Sequence, residues 1–444
     1  MAPPLASNAP LPMAGAAWPD SPCDLDELCE VLVEQLGPDA NVVVPIANGE
    51  PVGLLDGLEA RAERLQRVRV HQMHALVDRP YLHGAARGHL EHVSWFLSHI
   101  TRPAFREGGC HFAPANFSEV PQCLLAAEPA LVLAAASPPD EHGFFSLGVS
   151  ADYTAALIGR VPFVLEVNPE MPRTFGANRL HRSEVLAWCE HRRPLVEVPP
   201  PPISAEDRTI AEFLAERVPH RATIQLGIGS IPAAVASQLR GHRDLGVHTE
   251  LFSDPLVDLV EAGVITGVHK ATNRGRIVTT FALGSKRCYD FLDRNDIVEF
   301  LPVDEVNDPR NIGREPHFVS INGTLQVDLF GQCASETIGF DYWSGSGGQA
   351  DFARGAQYSP GGEGYVALRS TTRDGAISRI VATLDTGAVV TTLKNTVDNV
   401  VTEHGVAELQ GRTLGERALA LIAVAAPQHR DELTRRAKEI GLIR

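Results

Sequence analysis

The sequence predicts an α/β protein of two tandem domains with mainly parallel sheets. Three observations carry this. Apolar strand runs alternate with helix-forming stretches, the strand–turn–helix–strand pattern of one half recurs in the other, and a four-proline run separates the halves. Alternating strands and helices imply parallel sheets covered on both faces. At 444 residues the chain is also too long for one ordinary core.

Residues 1–24 are Ala/Pro-rich, without the basic start and apolar run of a signal peptide, and read as a disordered tail. Leu25 to Leu36 reads as an acidic amphipathic helix leading into the buried-strand run Asn41-Val42-Val43-Val44-Pro45-Ile46. A small-residue turn, Ala47 to Pro51, opens a helix to Leu65, and Val68-Arg69-Val70-His71 resumes the sheet. The same pattern returns in stronger form at Ile224 to Glu250. There Thr223-Ile224-Gln225-Leu226 is broken by Gly227-Ile228-Gly229-Ser230, Pro232 fits a first helical position, and Asp244 to Thr249 forms the next strand. In this comparison Pro51 plays the part of Pro232, and His71 that of His248. A second echo pairs Leu131 to Ala136 and the Asp140 turn with Phe318 to Asn322 and the Asp328 turn. Offsets of 181 and 188 residues, in the same order, indicate a duplicated unit. The first domain is expected over 25–198, a stiff proline linker over 199–203, and the second domain over 204–444. Near the end, Thr413-Leu414-Gly415-Glu416 is a capping box for a helix running to Ala426, before Pro427.

A formal net charge of −16 argues against a nucleic-acid partner, which requires a basic face. No stretch approaches the roughly 18 uncharged apolar residues of a membrane span. Seven cysteines without metal-like spacing suit reduced thiols, so a soluble cytoplasmic enzyme is expected. Seven of the seventeen histidines fall between His71 and His111. Their irregular spacing across several elements lacks a ligand pair, and no metal is assigned.

Glu250 stands at a strand's carboxyl end beside the Gly227/Gly229 turn, where open α/β sheets place their ligands. Gly227-x-Gly229 with an acid 21 residues later also fits a dinucleotide fingerprint, with Glu250 on a ribose hydroxyl. Pro232 in the third glycine position counts against that NAD-binding reading, because close helix–strand packing there admits no side chain. A second small-residue loop, Ser344-Gly345-Ser346-Gly347-Gly348, precedes Gln349-Ala350-Asp351-Phe352. Its backbone N–H groups, Gly345, Gly347 and Gly348 foremost, suit an oxyanion.

Four stretches together resemble the acetyl-CoA hydrolase/transferase family, and within it the 4-hydroxybutyrate and butyrate:acetate CoA-transferases. They are Gln225 to Pro232, His248-Thr249-Glu250, Ser344 to Phe352, and Val400-Val401-Thr402-Glu403-His404-Gly405-Val406-Ala407. Ser137 to Gly143 and Val167 to Thr174 resemble the family's first domain, so the resemblance spans about residues 25 to 440. It implies two CoA-transferase-type (NagB/RpiA-like) domains with the active site at their interface, and a homodimer or higher homo-oligomer. It also implies coenzyme A as substrate and covalent intermediate, with Glu250 as nucleophile. A carboxylate attacking a thioester gives an acyl-glutamyl anhydride, and returning CoA thiolate then gives a glutamyl-CoA thioester that a second acid resolves, without ATP. An acyl-CoA hydrolase using the same glutamate is the alternative, and a non-catalytic CoA or sugar-phosphate sensor a more distant one.

Lys286, Arg287, Arg354 and Arg379 lie near motif turns as candidate contacts for the phosphates of CoA. Asn322 is a candidate substrate or cofactor contact, and Glu403 a rival carboxylate read as structural or substrate-orienting. Family members tend to carry His-Tyr before Val-Val-Thr-Glu and an aromatic after it. Here Asp398, Asn399 and His404 stand at those positions, and they are the expected determinants of acyl specificity. Phe96-Leu97-Ser98-His99 stands where relatives show a glycine-bearing turn.

Overall fold

Two parallel sheets arise from the alternating pattern, each in its own compact unit. The computed structural model describes residues 18–444. The expectation of disorder before residue 18 lies outside the described residues.

The first unit comprises residues 18–115, Glu119–Glu197 and Thr280–Asp304. Its strands are β1 (Asn41–Val43), β2 (Val68–Met73), β3 (Leu90–Phe96), β4 (His111–Phe112), β5 (Leu131–Ala136), β6 (Phe163–Val167) and β7 (Val185–Glu190). They run in the order β7-β6-β5-β1-β2-β3-β4, every pair parallel. Helices on both faces explain why β5 is a continuous apolar run with all six residues out of water. The helix Leu25–Gln35 is capped by Asp24, whose carboxylate accepts from the N–H groups of Asp26 and Glu27. It buries Leu28, Cys29, Leu32 and Val33 in the core that also takes Leu54, Leu58 and Leu131. Each such leucine contributes about 1.5–3 kcal/mol.

Two expectations are corrected here. Residues 21–23, assigned to the tail, run alongside β7: the Cys23 N–H donates to Trp188 O (3.1 Å), and the Trp188 N–H donates to Ser21 Oγ (2.9 Å). Residues 280–304, placed in the second domain, return to the first unit. The N–H groups of Ala151 and Asp152 donate to Thr280 O (2.8 and 2.9 Å), Val303 N–H donates to Asp152 O (2.9 Å), and Tyr289 Oη joins Asn48 and Val196. These partners lie 93 to 241 residues away, so local periodicity carries no trace of them.

The second unit comprises Asn116–Ser118, Val198–Thr279 and Glu305–Arg444. Its strands are β8 (Thr223–Leu226), β9 (Gly246–Val247), β10 (Phe318–Gly323), β11 (Glu363–Ala367), β12 (Asn399–Thr402) and β13 (Gly405–Glu408). The order is β9-β8-β10-β11-β12-β13, parallel except for the closing β12–β13 hairpin. The chain steps from β8 to β9 on one side and later to β10 on the other. The switch point of the sheet therefore lies beside β8, where ligands bind in open α/β sheets.

The duplication is visible in the register. β7-β6-β5-β1-β2 matches β12-β11-β10-β8-β9. Val42 pairs with Leu131 and Val70, as Ile224 pairs with Val319 and Val247. The two turns match as well. Asp140 Oδ1 accepts from the N–H groups of His142 and Phe144, and Asp328 Oδ1 from those of Phe330 and Gln332. The register keeps the expected equivalence: His71 corresponds to His248, and two residues further on Met73 holds the place of Glu250.

Candidate active site

The carboxyl end of β8 is shaped by two glycines. A Cβ on Gly227 would lie 3.0 Å from Asn322 Oδ1 and 3.2 Å from Ile321 O, so the backbone turns close against β10. Gly229 has φ +127°, a conformation that a side chain disfavours, and it caps the helix Ser230–Gln238. Pro232 is the third residue of that helix rather than the first, still within the turn whose N–H groups lack partners.

Glu250 follows β9 and is half-buried. Its backbone is fixed by Thr279 Oγ1, which donates to Glu250 O (3.0 Å), and by Thr249 N–H, which donates to Val278 O (2.9 Å). Two donors meet its side chain: Asn307 Nδ2, 2.8 Å from Oε2, and the backbone N–H of Gly348. A Cβ on Gly348 would sit 2.1 Å from Oε2 and 2.3 Å from Asn307 Nδ2, so only glycine lets this backbone approach. Burial pushes the Glu250 carboxyl up to about 7; Asn307 and Gly348 favour the anion, while the charge of Asp351 opposes it.

The surrounding groups hold this arrangement. His248 Nε2 donates to Val306 O (2.6 Å), next to Asn307, and its ring packs edge-on against Phe318 and Phe352. Burial pushes that imidazole down to about 4, so it is neutral at pH 7. Gly347, at φ +55°, accepts from Phe117 N–H (3.0 Å). Asp351, in the first turn of the helix Gln349–Tyr358, accepts from Ser118 N–H and Oγ (3.1 and 2.8 Å). Buried Glu336 holds the start of the loop: its carbonyl takes the N–H of Trp343 (2.6 Å), and its carboxylate takes Thr391 Oγ1 (3.0 Å).

Thus Glu250, Gly348 and the loop containing Gly345 and Gly347 come together, with Gly227 beside Asn322 on β10. The Asn322 amide, however, is occupied by Gln225 and Ser320 at 3.0–3.1 Å, which makes it part of the sheet's polar interior. Asp398, Asn399, Glu403 and His404 belong to β12 and its approach and hairpin. That strand is four spacings from β9, about 19 Å. Asp398 is buried and accepts from Gln357 Nε2 (2.8 Å) and Gly364 N–H (3.1 Å), and Asn399 donates to Gly364 O. The side chains of Asp398 and Asn399 are thus engaged within β12 and its neighbours. Glu403 accepts from Ser370 N–H (2.9 Å) and Oγ (2.5 Å), a structural use of both oxygens.

Among the cations, Lys286 is exposed and paired with Asp290 (2.6 Å), and Arg287 is exposed on the same first-unit helix. Arg354 lies over the Tyr358 ring at 6.0 Å. Arg379 is partly buried at the end of the loop after β11; burial and neighbouring Arg369 push its guanidinium down. Asn307 is the functional candidate that sequence reasoning missed. It lies 57 residues from Glu250 in a segment without a local motif. Among the described residues no group of three or more His, Cys, Asp and Glu would hold a metal ion, and no helix is long and apolar enough to cross a membrane.

Residues 42–197 match the acetyl-CoA hydrolase/transferase N-terminal domain, and residues 284–437 match the C-terminal domain. The chain belongs to the acetyl-CoA hydrolase/transferase family. Its relatives include succinyl-CoA:cyclohexane-1-carboxylate CoA transferase of Geobacter metallireducens, 44% identical and covering 90% of this chain and 92% of that one. The 4-hydroxybutyrate coenzyme A transferase of Clostridium kluyveri is 41% identical, covering 92% and 96%. Among solved structures, RipA from Yersinia pestis superimposes with a TM-score of 0.89 at 37% identity, covering 94% and 97%. Membership of this acetyl-CoA hydrolase/transferase family makes the protein a CoA-transferase-type enzyme of α/β fold.

Proposed function

We propose that the enzyme moves CoA between an acyl-CoA and a short carboxylic acid through two covalent intermediates on Glu250. The observation that carries this is the asymmetry of the Glu250 carboxylate. Oε2 accepts from Asn307 Nδ2 (2.8 Å), and the Gly348 N–H is also directed at the carboxylate. Oε1 is then the attacking oxygen. It adds to the thioester carbonyl, the C–S bond breaks, and CoA leaves as thiolate from an acyl-glutamyl anhydride. The thiolate adds to the glutamyl carbonyl carbon, and negative charge develops on Oε2, where the Asn307 amide already stands. Collapse expels the free acid and leaves a glutamyl-CoA thioester. A second acid reverses both steps with its own carboxylate, giving ping-pong kinetics.

The raised basicity of Glu250 serves the first attack, because a carboxylate half out of water is a stronger nucleophile than a solvated one. The names of the relatives span a dicarboxylic, a cyclic and a hydroxy acid, which supports short carboxylic acids as the substrate class. The test is CoA exchange from acetyl-, butyryl- and succinyl-CoA, with and without acceptor acids, followed by hydroxylamine trapping and peptide mapping. Acid-dependent turnover and a hydroxamate at Glu250 are expected. Acid-independent thioester loss would make the enzyme a hydrolase, and a modification elsewhere would remove Glu250 from the mechanism.

A further inference from the structure

A second buried carboxylate of the second unit, Glu336, takes no part in the two-step transfer. It is only 3% exposed, and no Lys, Arg or His forms an ion pair with it among the described residues. The partners of its carboxylate are two hydroxyls, Thr391 Oγ1 at 3.0 Å and Ser346 Oγ at 3.4 Å, both donating to Oε1. A carboxylate buried without a cation is costly to keep, so its retention calls for a role beyond packing.

The two hydroxyls belong to segments of different character. Thr391 is part of a closed ladder. Cys333 O accepts from the N–H groups of Thr391 and Thr392 (2.9 and 3.2 Å), and the Cys333 N–H donates to Thr392 O (3.1 Å). Thr391 Oγ1 also accepts from Ser335 N–H (3.0 Å), and Thr337 Oγ1 accepts from Val389 N–H (2.8 Å). Cys333 is anchored in turn in the apolar core with Val327 and Leu329. Ser346 instead lies in the glycine loop, two residues before Gly348, whose N–H is directed at the Glu250 carboxylate. Flanked by Gly345 and Gly347, it has little backbone stiffness of its own. The Glu336 side chain therefore ties a mobile type of backbone to a fixed one.

We propose that Glu336 is a positioning residue: through Ser346 its carboxylate holds the glycine loop so that the Gly348 N–H stays against Glu250. The backbone carbonyl of Glu336 separately takes the N–H groups of Trp343 and Ser344 (2.6 and 3.3 Å), so the entry to the loop is held whatever the side chain is. A side-chain substitution thus isolates the second attachment. A donor fixed in advance at the site of developing charge lowers the barrier without reorganising during the reaction. The loss should accordingly fall on kcat and not on the binding of CoA. The inference rests on the reading of Glu250 as nucleophile. Among charged and titratable groups, Asp351 acts on Glu250 and Tyr342 stands beside Glu336, and the variants below alter neither.

The experiment uses the full chain with Glu336→Ala, Glu336→Gln and Ser346→Ala. Steady-state kinetics across pH are combined with hydrogen exchange of peptides spanning residues 343–352 and circular-dichroism melts. In Glu336→Ala, kcat should fall about tenfold with the KM for acyl-CoA changed less than about twofold. The acid limb of kcat/KM should move up by about half a pH unit, because a donor to the Glu250 anion is loosened, and the loop amides should exchange faster. Glu336→Gln keeps a carbonyl oxygen for both hydroxyls, so it should restore rate, limb and exchange. Ser346→Ala removes only the bond from loop to carboxylate and should reproduce the shift even if Glu336→Ala misfolds. A wild-type limb and wild-type exchange in Ser346→Ala would overturn the proposal, as would a Glu336→Gln variant as impaired as Glu336→Ala. Failure of the Glu250 reading would appear separately, as turnover persisting in Glu250→Gln, and the exchange measurement does not depend on turnover.

Discussion

Glu250 is held between burial, which favours its neutral form, and two N–H donors, which favour its anion. Because the ionised form is the nucleophile, kcat/KM should fall about tenfold per pH unit below roughly 7. Asn307→Ala removes a donor to the anion, so that limb should move to higher pH and kcat should drop about 10²–10³-fold. A limb that stays in place would detach Asn307 from the carboxylate. Glu250→Gln should abolish turnover yet not weaken the fold. The native carboxyl titrates above its unfolded value, so the folded state binds the extra proton between about 4.5 and 7 and wild-type stability declines across that window. The variant escapes this, by on the order of 2 kcal/mol above pH 7 after allowance for partial exposure. Urea melts at pH 4 and pH 8 measure it. Gly348→Ala places a methyl group on Oε2, and a loss of at least 100-fold in kcat with little change in melting is expected. Glu250 and Gly348 were legible because each lies in a contiguous motif. Asn307 was not, because its role exists only across a 57-residue gap.

At the scale of elements, caps and turns were readable and neighbourhoods were not. The Thr413 capping box forms as expected: Thr413 Oγ1 accepts from Glu416 N–H (3.3 Å), and Glu416 Oε2 accepts from Thr413 N–H (2.8 Å). The helix it starts ends at Val424, two residues short of expectation, where Ala425 turns extended ahead of Pro427. Thr413→Ala should cost about 1 kcal/mol with activity unchanged, read from denaturant midpoints. A loss of activity at full stability would give this helix a role beyond support. The Asp398 to His404 stretch shows the opposite case. It is a motif in sequence, but it builds a buried strand and hairpin, and a strand's place in the sheet is set by long-range pairing that periodicity does not encode.

At the scale of the whole molecule, two α/β units with parallel sheets followed from alternation and repetition. The order of strands within each sheet, with β1 inserted between β2 and β5, did not. Nor did the return of residues 280–304 to the first unit, since its hydrogen bonds reach Val149, Asp152 and Val196. A fragment ending at residue 203, where the proline run marks the apparent boundary, should therefore lack a cooperative melt. The same fragment supplied with a 280–304 peptide should gain secondary structure; native-like stability without the peptide would show that the segment is dispensable. The return also has a consequence in time. On a ribosome making about 5–20 residues per second, the first unit waits roughly 5–20 s after Glu197 for its last segment, while the second unit is already emerging. The nascent chain must hold an unfinished sheet open through that interval, which makes the first unit the natural client of any chaperone that attends this enzyme's synthesis.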